Sequence, residues 1–187
     1  MSSQANDPTS TPAGPERRSR LRQYQMQLME RMQAAKTGAA ESGRELGVLS
    51  GGRLYLLDLA QISEIVPLQA PAPVPLAQPW YLGLVNIRGN LTGVIDLARY
   101  QGLPAGDGVP AERRLITFAP GLGFNCALQV ERVLGLRRLA GMAAAEGDAA
   151  APAWCRQHFR DGDGQPWTRI DLAQLVRESR FIQVGLV

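Results

Sequence analysis

The chain has 187 residues, 45% of them hydrophobic, and a formal net charge of +3. This length suits one well-buried domain with residues to spare, and no run approaches the ~20 unbroken apolar residues of a membrane span. The arginines clustered at positions 17–22 account for the positive charge. The rest of the chain is close to neutral, so a nucleic-acid-binding face is not indicated.

The N-terminus and the cysteines predict a location. Residues 1–15 are rich in Ser, Pro and Thr and lack the apolar segment of a signal peptide. Cys126 and Cys155 are too few for a disulfide framework or for a structural zinc site, which needs about four clustered ligands. We therefore expect a cytoplasmic protein with no membrane insertion, no metal and no cofactor.

Composition divides the chain into three parts. Residues 1–15 have almost nothing to bury and are predicted to be a disordered tail. Residues 16–43 are predicted to form an amphipathic helix and a flexible linker, and residues 44–187 the folded domain. Four apolar residues share one face of the helix: Leu21, Tyr24, Leu28 and Met32. That face either packs on the protein's own domain or binds a partner, and the sequence leaves both open.

Several stretches of the folded domain predict β-hairpins. Alternating apolar positions on both sides of Gly51 and Gly52 predict a hairpin closed by a two-residue turn. The stretch from residue 70 to residue 80 is rich in proline. Its prolines remove backbone donors and favour an extended crossover. Two further predicted hairpins join 115–118 to 124–128 and 158–159 to 166–167.

One short pattern occurs three times, at Asp58, Asp96 and Asp171. In each copy a β-favouring run ends at the aspartate and is followed by Leu and Ala. The carboxylates are predicted to cap the first free N–H groups of short helices. The recurrence also hints at an internally duplicated β architecture.

Two motifs raise catalytic or metal-binding alternatives. Cys155 and His158 are three residues apart, as in some metal sites and nucleophile–base pairs, so a small β-barrel hydrolase is the enzyme alternative. The spacing could place both on one helical face, but no nucleophile elbow accompanies them, which favours a partly buried structural pair. Asp161 and Asp163 resemble the start of a calcium loop. Leu172 stands where the bidentate Glu is needed, so a hairpin tip is favoured.

Residues 80–97 are the most distinctive stretch. Their periodicity predicts two strands around a tight turn at 86–90, with Arg88 at the tip beside glycines. An arginine in this position is either a solvated turn residue or an interface anchor, and the pattern alone leaves both open.

This stretch carries a family resemblance. Residues 83–89 read Gly-Leu-Val-Asn-Ile-Arg-Gly, and 94–97 read Val-Ile-Asp-Leu. The pattern closely resembles the signature of CheW-like domains, Gly-Val-Val-Asn-Leu-Arg-Gly followed by an apolar-Asp-Leu ending. Similar family elements occur at 62–65, 128–135 and 169–172, so the resemblance covers about 45–176. The lead-in at 80–83, the basic N-terminal helix and the ending at 180–185 most resemble the PilI type, the adaptor of systems that control type IV pili.

The resemblance implies a mainly β fold of two SH3-like β-barrel subdomains with short helices and the N-terminal amphipathic helix. It implies a non-catalytic adaptor of chemotaxis-type, two-component signal transduction. Its partners would be the regulatory domain of a CheA-type histidine kinase and the tip of a methyl-accepting chemotaxis receptor, in membrane-associated arrays. Twitching motility is the implied output, with a flagellar CheW adaptor as the alternative.

The implied interface residues lie in and near the signature. Arg88 would supply a directional fork of donors, and its neighbours would shape the turn. The implied set, in order, is Arg88, Gly83, Asn86, Gly89, Ile62, Glu64 and Ile65.

Overall fold

Two β-sheets make up most of the folded chain. The computed structural model describes residues 43–104, 108–147 and 150–186. Within them, eleven strands form a six-stranded sheet A and a five-stranded sheet B. The strands of sheet A are, in spatial order, β8 (Arg132–Arg138), β1 (Arg44–Ser50), β2 (Arg53–Asp58), β11 (Pro166–Ile170), β10 (Gln157–Arg160) and β9 (Ala143–Ala145). Those of sheet B are β3 (Ile62–Pro67), β6 (Arg114–Phe118), β7 (Cys126–Val130), β5 (Asn90–Asp96) and β4 (Tyr81–Ile87).

The N-terminal predictions lie outside these residues. The disordered tail at 1–15 and the helix with its linker at 16–43 fall before the described part of the chain, apart from Gly43. Strand β1 begins at Arg44, the first position of the predicted folded domain.

The predicted hairpins are confirmed. Gly51 and Gly52 connect β1 to β2 with φ of 57° and 69°, and Ser50 lies opposite Arg53. Two successive positive φ values define a type I′ turn, whose twist matches that of the flanking strands. The other two hairpins are the antiparallel pairs β6–β7 and β10–β11.

Short helices follow the three repeated aspartates, as the sequence predicts. Asp58 accepts from the Ala60 N–H at 2.9 Å, in front of a 3-10 turn at Leu59–Gln61. Asp96 caps α1 (Leu97–Tyr100), and Asp171 caps α2 (Leu172–Leu175). A third α-helix of the described residues is α3 (Ser179–Ile182), and further 3-10 turns lie at Pro110–Glu112, Pro120–Leu122, Leu139–Gly141 and Ala153–Cys155. Among the described residues, no helix is long and apolar enough to cross a membrane.

Both sheets repeat one order of strand pairing. In sheet A the hairpin β1–β2 is followed by the parallel pair β2–β11 and the antiparallel pairs β11–β10 and β10–β9. In sheet B the hairpin β4–β5 is followed by the parallel pair β5–β7 and the antiparallel pairs β7–β6 and β6–β3. The duplicated architecture hinted at by the aspartates is therefore present in the strand pairing.

The hydrophobic core has two parts because strands present alternate residues to opposite faces. The larger cluster joins the two sheets, with Tyr55 and Leu57 of sheet A in the same cluster as Ile95 and Leu128 of sheet B. The smaller cluster lies on the other face of sheet B and comprises Val85, Ile87, Val94, Leu115 and Ala127. We call this second face the interior of sheet B.

Candidate functional site

The hairpin between β4 and β5 holds Arg88 at its tip. Arg88 and Gly89 have φ of 49° and 87°, so this turn is also of type I′, although glycine, asparagine and aspartate are the usual residues there. The Asn86 side-chain oxygen accepts a hydrogen bond from the Gly89 N–H at 2.7 Å. Asn86 and Gly89 thus fix the turn, and the Arg88 side chain is 78% exposed.

Glu64 faces this turn because of a bulge in β3. The pairing of β3 with β6 shifts between Ile62 and Ile65. At the bulge, Thr117 Oγ1 accepts from the Glu64 N–H at 2.9 Å in place of a backbone carbonyl. The Glu64 carboxylate then lies 3.0 Å from Arg88 Nε. This ion pair joins β3 to the turn that follows β4, and β3 and β4 are the two edge strands of sheet B.

The ion pair leaves one oxygen incompletely satisfied. Glu64 Oε2 is buried and has no aligned hydrogen-bond donor among the described residues, even though Arg88 Nε is within contact distance. A charge contact without alignment is weaker than a charge-assisted hydrogen bond. The sequence suggested two roles for Arg88, a solvated turn residue or an interface anchor. Neither role included this contact with Glu64 inside the protein.

Gly83 has a structural function at the other end of β4. Its φ is +130°, and a Cβ there would lie 2.1 Å from the carbonyl oxygen of Ala72. Ala72 belongs to the proline-rich crossover and exchanges two backbone hydrogen bonds with Leu84, at 2.8 and 2.9 Å. Any other residue at position 83 would push this connection away from the strand.

The isoleucines of the predicted set differ in exposure. Ile62 is half-buried and packs against the core between the sheets. Ile65 is 42% exposed and follows Glu64 directly in β3. The structure therefore brings Arg88, Glu64, Asn86 and Gly89 together, whereas Gly83 lies at the far end of β4.

A cavity that the sequence did not predict adjoins the ion pair. It has a volume of about 100 Å³ and is lined by residues of β3, β4, β5, β6 and the start of β7, with Pro120 from the 3-10 turn after β6. Its polar lining includes Thr92 and Thr117, both buried, with Asn90 and Asn125 exposed at the rim. Threonines at inward positions of β5 and β6, the strands on either side of β7, are a sequence signal for such a cavity, but they identify it only once strand pairing is known.

The hydrolase alternative is not supported by the geometry. Cys155 ends a 3-10 turn, whereas His158 lies within β10, so the two do not share a helical face. His158 Nδ1 lies 3.1 Å from the Thr168 hydroxyl, and Cys155 Sγ contacts the Pro152 carbonyl oxygen at 3.6 Å. Burial raises the pKa of the Cys155 thiol, which opposes thiolate formation.

The loop around Asp161 is a hairpin tip, as the sequence predicts. Its carboxylate accepts hydrogen bonds from the backbone N–H groups of Asp163 and Gln165 and from the Trp167 indole. The indole bond is the main cause of a lowered Asp161 pKa. Across the described residues, no cluster of three or more acidic, His or Cys side chains could hold a metal ion.

A second charged cluster lies in sheet A. Glu45, at the start of β1, is fully buried, and its carboxylate lies 3.0 Å from Arg169 Nε. The same guanidinium contacts Asp58 at 3.0 Å and the Gln157 side chain at 3.2 Å. Arg169 thus links β1, β2, β10 and β11.

Comparison with known proteins decides the family. The model of the CheW-like domain matches residues 45–180. The chain belongs to the CheW-like domain family. The solved structure of the scaffolding protein TtCheW from Thermoanaerobacter tengcongensis superposes with a TM-score of 0.62 at 19% identity, covering 74% of this chain and 94% of that one. The predicted mainly β, two-subdomain fold of this family is thereby confirmed.

Curated relatives of this CheW-like chain match over shorter stretches. The chemotaxis protein CheW of Bacillus subtilis is 32% identical over 84 residues, 44% of this chain and 53% of the relative. Protein PilI of Pseudomonas aeruginosa is 26% identical over 68 residues, 36% of this chain and 38% of the relative. The matched segments thus span about half, or less, of these relatives.

Proposed function

We propose that this CheW-like chain is a non-catalytic adaptor that couples a methyl-accepting chemotaxis receptor to a CheA-type histidine kinase. It acts in the cytoplasm at membrane-associated receptor arrays and needs neither metal nor cofactor. Its role is geometric: it holds both partners, so that a change of receptor state alters their contacts and biases the kinase.

One observation carries this proposal. The signature of the CheW-like family forms a rigid hairpin whose tip displays Arg88, 78% exposed, beside a carboxylate and a polar cavity. Arginine is enriched at the energetic centres of interfaces because its planar fork gives directional hydrogen bonds. The proposed interface comprises Arg88, Gly83, Asn86, Gly89, Ile62, Glu64 and Ile65, with Gly83 acting through the fold.

The direct test is purification of the tagged full chain from a native lysate, followed by identification of the captured proteins. Calorimetry with the kinase regulatory domain and with the receptor tip then measures each contact separately. Binding to both supports the adaptor function, and binding to neither overturns it. A Cys155→Ala, His158→Ala double variant should bind as tightly as the wild type, since the proposal uses neither side chain.

Control of type IV pili is the output we propose, supported by the similarity to protein PilI and by the lead-in at 80–83, the basic N-terminal segment and the ending at 180–185 of the sequence. Deleting the gene should abolish twitching and leave swimming unchanged. Loss of swimming with normal twitching would instead assign the chain to flagellar chemotaxis, which is the alternative output.

A further inference from the structure

We propose that the cavity beside Glu64 and Arg88 binds an uncharged carboxamide, the side chain of an asparagine or glutamine presented by a partner protein. This inference rests on the proposed adaptor function, because it specifies the chemistry that a partner brings to the same face of the molecule.

The cavity is a polar end of an otherwise apolar interior. Val94 of β5 and Leu115 of β6 face the interior of sheet B. Strand alternation places Thr92 and Thr117 on that same face, two positions nearer the opening. Both threonines are buried, with exposed fractions of 4% and 8%. The interior therefore changes from aliphatic to hydroxyl-bearing at its mouth, where a hydrogen-bonding group fits better than an apolar one.

An incompletely satisfied acceptor indicates the chemistry of the ligand. Glu64 Oε2 is buried and lacks an aligned donor among the described residues. A buried acceptor in this state is stabilised by any donor that reaches it. Asn90 and Asn125 line the same cavity, and an asparagine side chain offers both donors and an acceptor. A ligand that both donates and accepts hydrogen bonds can therefore pair with the polar groups of this lining.

Charge and size restrict the ligand further. A cation at Glu64 Oε2 would face Arg88 Nε, which lies 3.0 Å from that oxygen, and an anion would face the carboxylate itself. The volume of about 100 Å³ equals that of roughly three water molecules. A carboxamide with its methylene group has a similar size, is uncharged, and carries both a donor and an acceptor.

Solution NMR of the full chain tests the cavity without any partner. Acetamide, acetate and methylammonium, each titrated up to about 100 mM, are the probes, a range suited to the weak affinity of a four-atom fragment. We expect saturable shifts at Thr92, Thr117 and Asn125 with acetamide, and none with the two ions. Absence of saturable shifts, or equal shifts with all three probes, would overturn the proposal and leave the adaptor function untouched.

A paired substitution tests whether a partner uses the cavity. Asn125→Tyr covers the rim with a bulky side chain, and Gln183→Tyr is the control because Gln183 is exposed and does not line the cavity. Asn125→Tyr should remove the acetamide shifts and weaken binding of the kinase regulatory domain or the receptor tip at least about tenfold. Gln183→Tyr should change neither. If Asn125→Tyr leaves both affinities at the wild-type value, no partner enters the cavity and the proposal fails, while the wild-type affinities still report on the adaptor function.

Discussion

Arg88 adopts a backbone conformation that arginine rarely adopts. Its φ of 49° lies in the left-handed region, where a residue with a Cβ is strained by about 1–2 kcal/mol. The turn would close more easily with asparagine or glycine, as it does at Gly51 and Gly52. Strain that persists at an exposed side chain is a reason to assign a function to that side chain.

Arg88→Glu should weaken partner binding and leave the free protein folded. The new carboxylate would face Glu64, but position 88 is exposed, so repulsion in the free protein costs under about 1 kcal/mol. In a complex that pairs Arg88, the loss is on the order of 2–5 kcal/mol, or roughly 30-fold or more in affinity. Calorimetry with the kinase regulatory domain and the receptor tip measures it.

The matched control is Arg132→Glu. Arg132 is also exposed and lies 3.9 Å from a glutamate, Glu112, but it lies in sheet A. Wild-type affinity of Arg88→Glu for both partners would make Arg88 an ordinary turn residue with an internal ion pair.

Gly83→Ala should destabilise the protein far more than Gly89→Ala. The added methyl at 83 meets the Ala72 backbone, whereas nothing lies within 4 Å of a Cβ at 89. Gly89→Ala then costs about 1 kcal/mol for its positive φ, and Gly83→Ala several times more, since a strand connection must move. Urea unfolding of the two variants gives the comparison. Equal midpoints would show that the crossover is not held against β4.

At the scale of elements, the short α-helices have little intrinsic stability, and two of them are held by hydrogen bonds at their first residues. The α-helices described here have four residues each, too few to be stable in isolation. The carboxylates of Asp96 and Asp171 accept hydrogen bonds from free backbone N–H groups at the starts of two of these helices. Asp171 also accepts from the Gln61 amide, which ties α2 to the connection between β2 and β3.

Asp96→Ala should lower the free energy of unfolding by about 1–2 kcal/mol. Asp96 is buried, accepts from the Arg99 N–H at 3.1 Å and lies 3.4 Å from Arg99 Nε, so the substitution removes a cap and an ion pair together. Asp96→Asn retains the capping oxygen and should recover most of the loss. Chemical denaturation measures both variants. If Asn were as destabilising as Ala, the charge rather than the cap would be responsible.

At the scale of the molecule, the C-terminal segment ties the two sheets together. Phe181 stacks on Trp80 and on Phe118, with ring centroids 6.0 and 6.2 Å apart. Beyond it, residues 184–186 pair with residues 76–78 of the crossover through two backbone hydrogen bonds of 2.7 Å. The chain therefore runs from sheet A, through an aromatic cluster, onto the connection that precedes β4.

The stability of the Glu45→Gln variant relative to the wild type should increase as the pH rises from about 4 to neutrality. Burial raises the pKa of Glu45 above its ordinary 4.5, although Arg169 opposes the shift. A carboxyl whose pKa is raised by folding contributes stability below the ordinary value and loses it as pH rises through the folded value. Thermal midpoints of both proteins between pH 4 and 8 measure the trend.

The control for this series is the exposed Glu112→Gln variant, which removes a carboxylate at the surface instead of a buried one. A wild-type advantage that grew with pH for Glu45 would mean that pairing with Arg169 outweighs desolvation.

The sequence by itself determined the local features of this protein. Hairpins at Gly51 and Gly52 and at the signature turn, and the three aspartate caps, follow from residue preferences within a few positions. The CheW-like family follows from the resemblance of a contiguous signature. Backbone dihedrals, caps and two-residue turns depend on residues that are close in the chain. They can therefore be predicted before the fold is known.

Tertiary structure alone decided the site. The contact of Glu64 with Arg88 requires the two edges of sheet B to meet, and the cavity requires residues from all five strands of that sheet. The same holds for Glu45 and Arg169, which are 124 positions apart and pair because β2 and β11 lie side by side. Nothing local in the sequence encodes such contacts, since they depend on which strands become neighbours, and that is set by burying the two cores together.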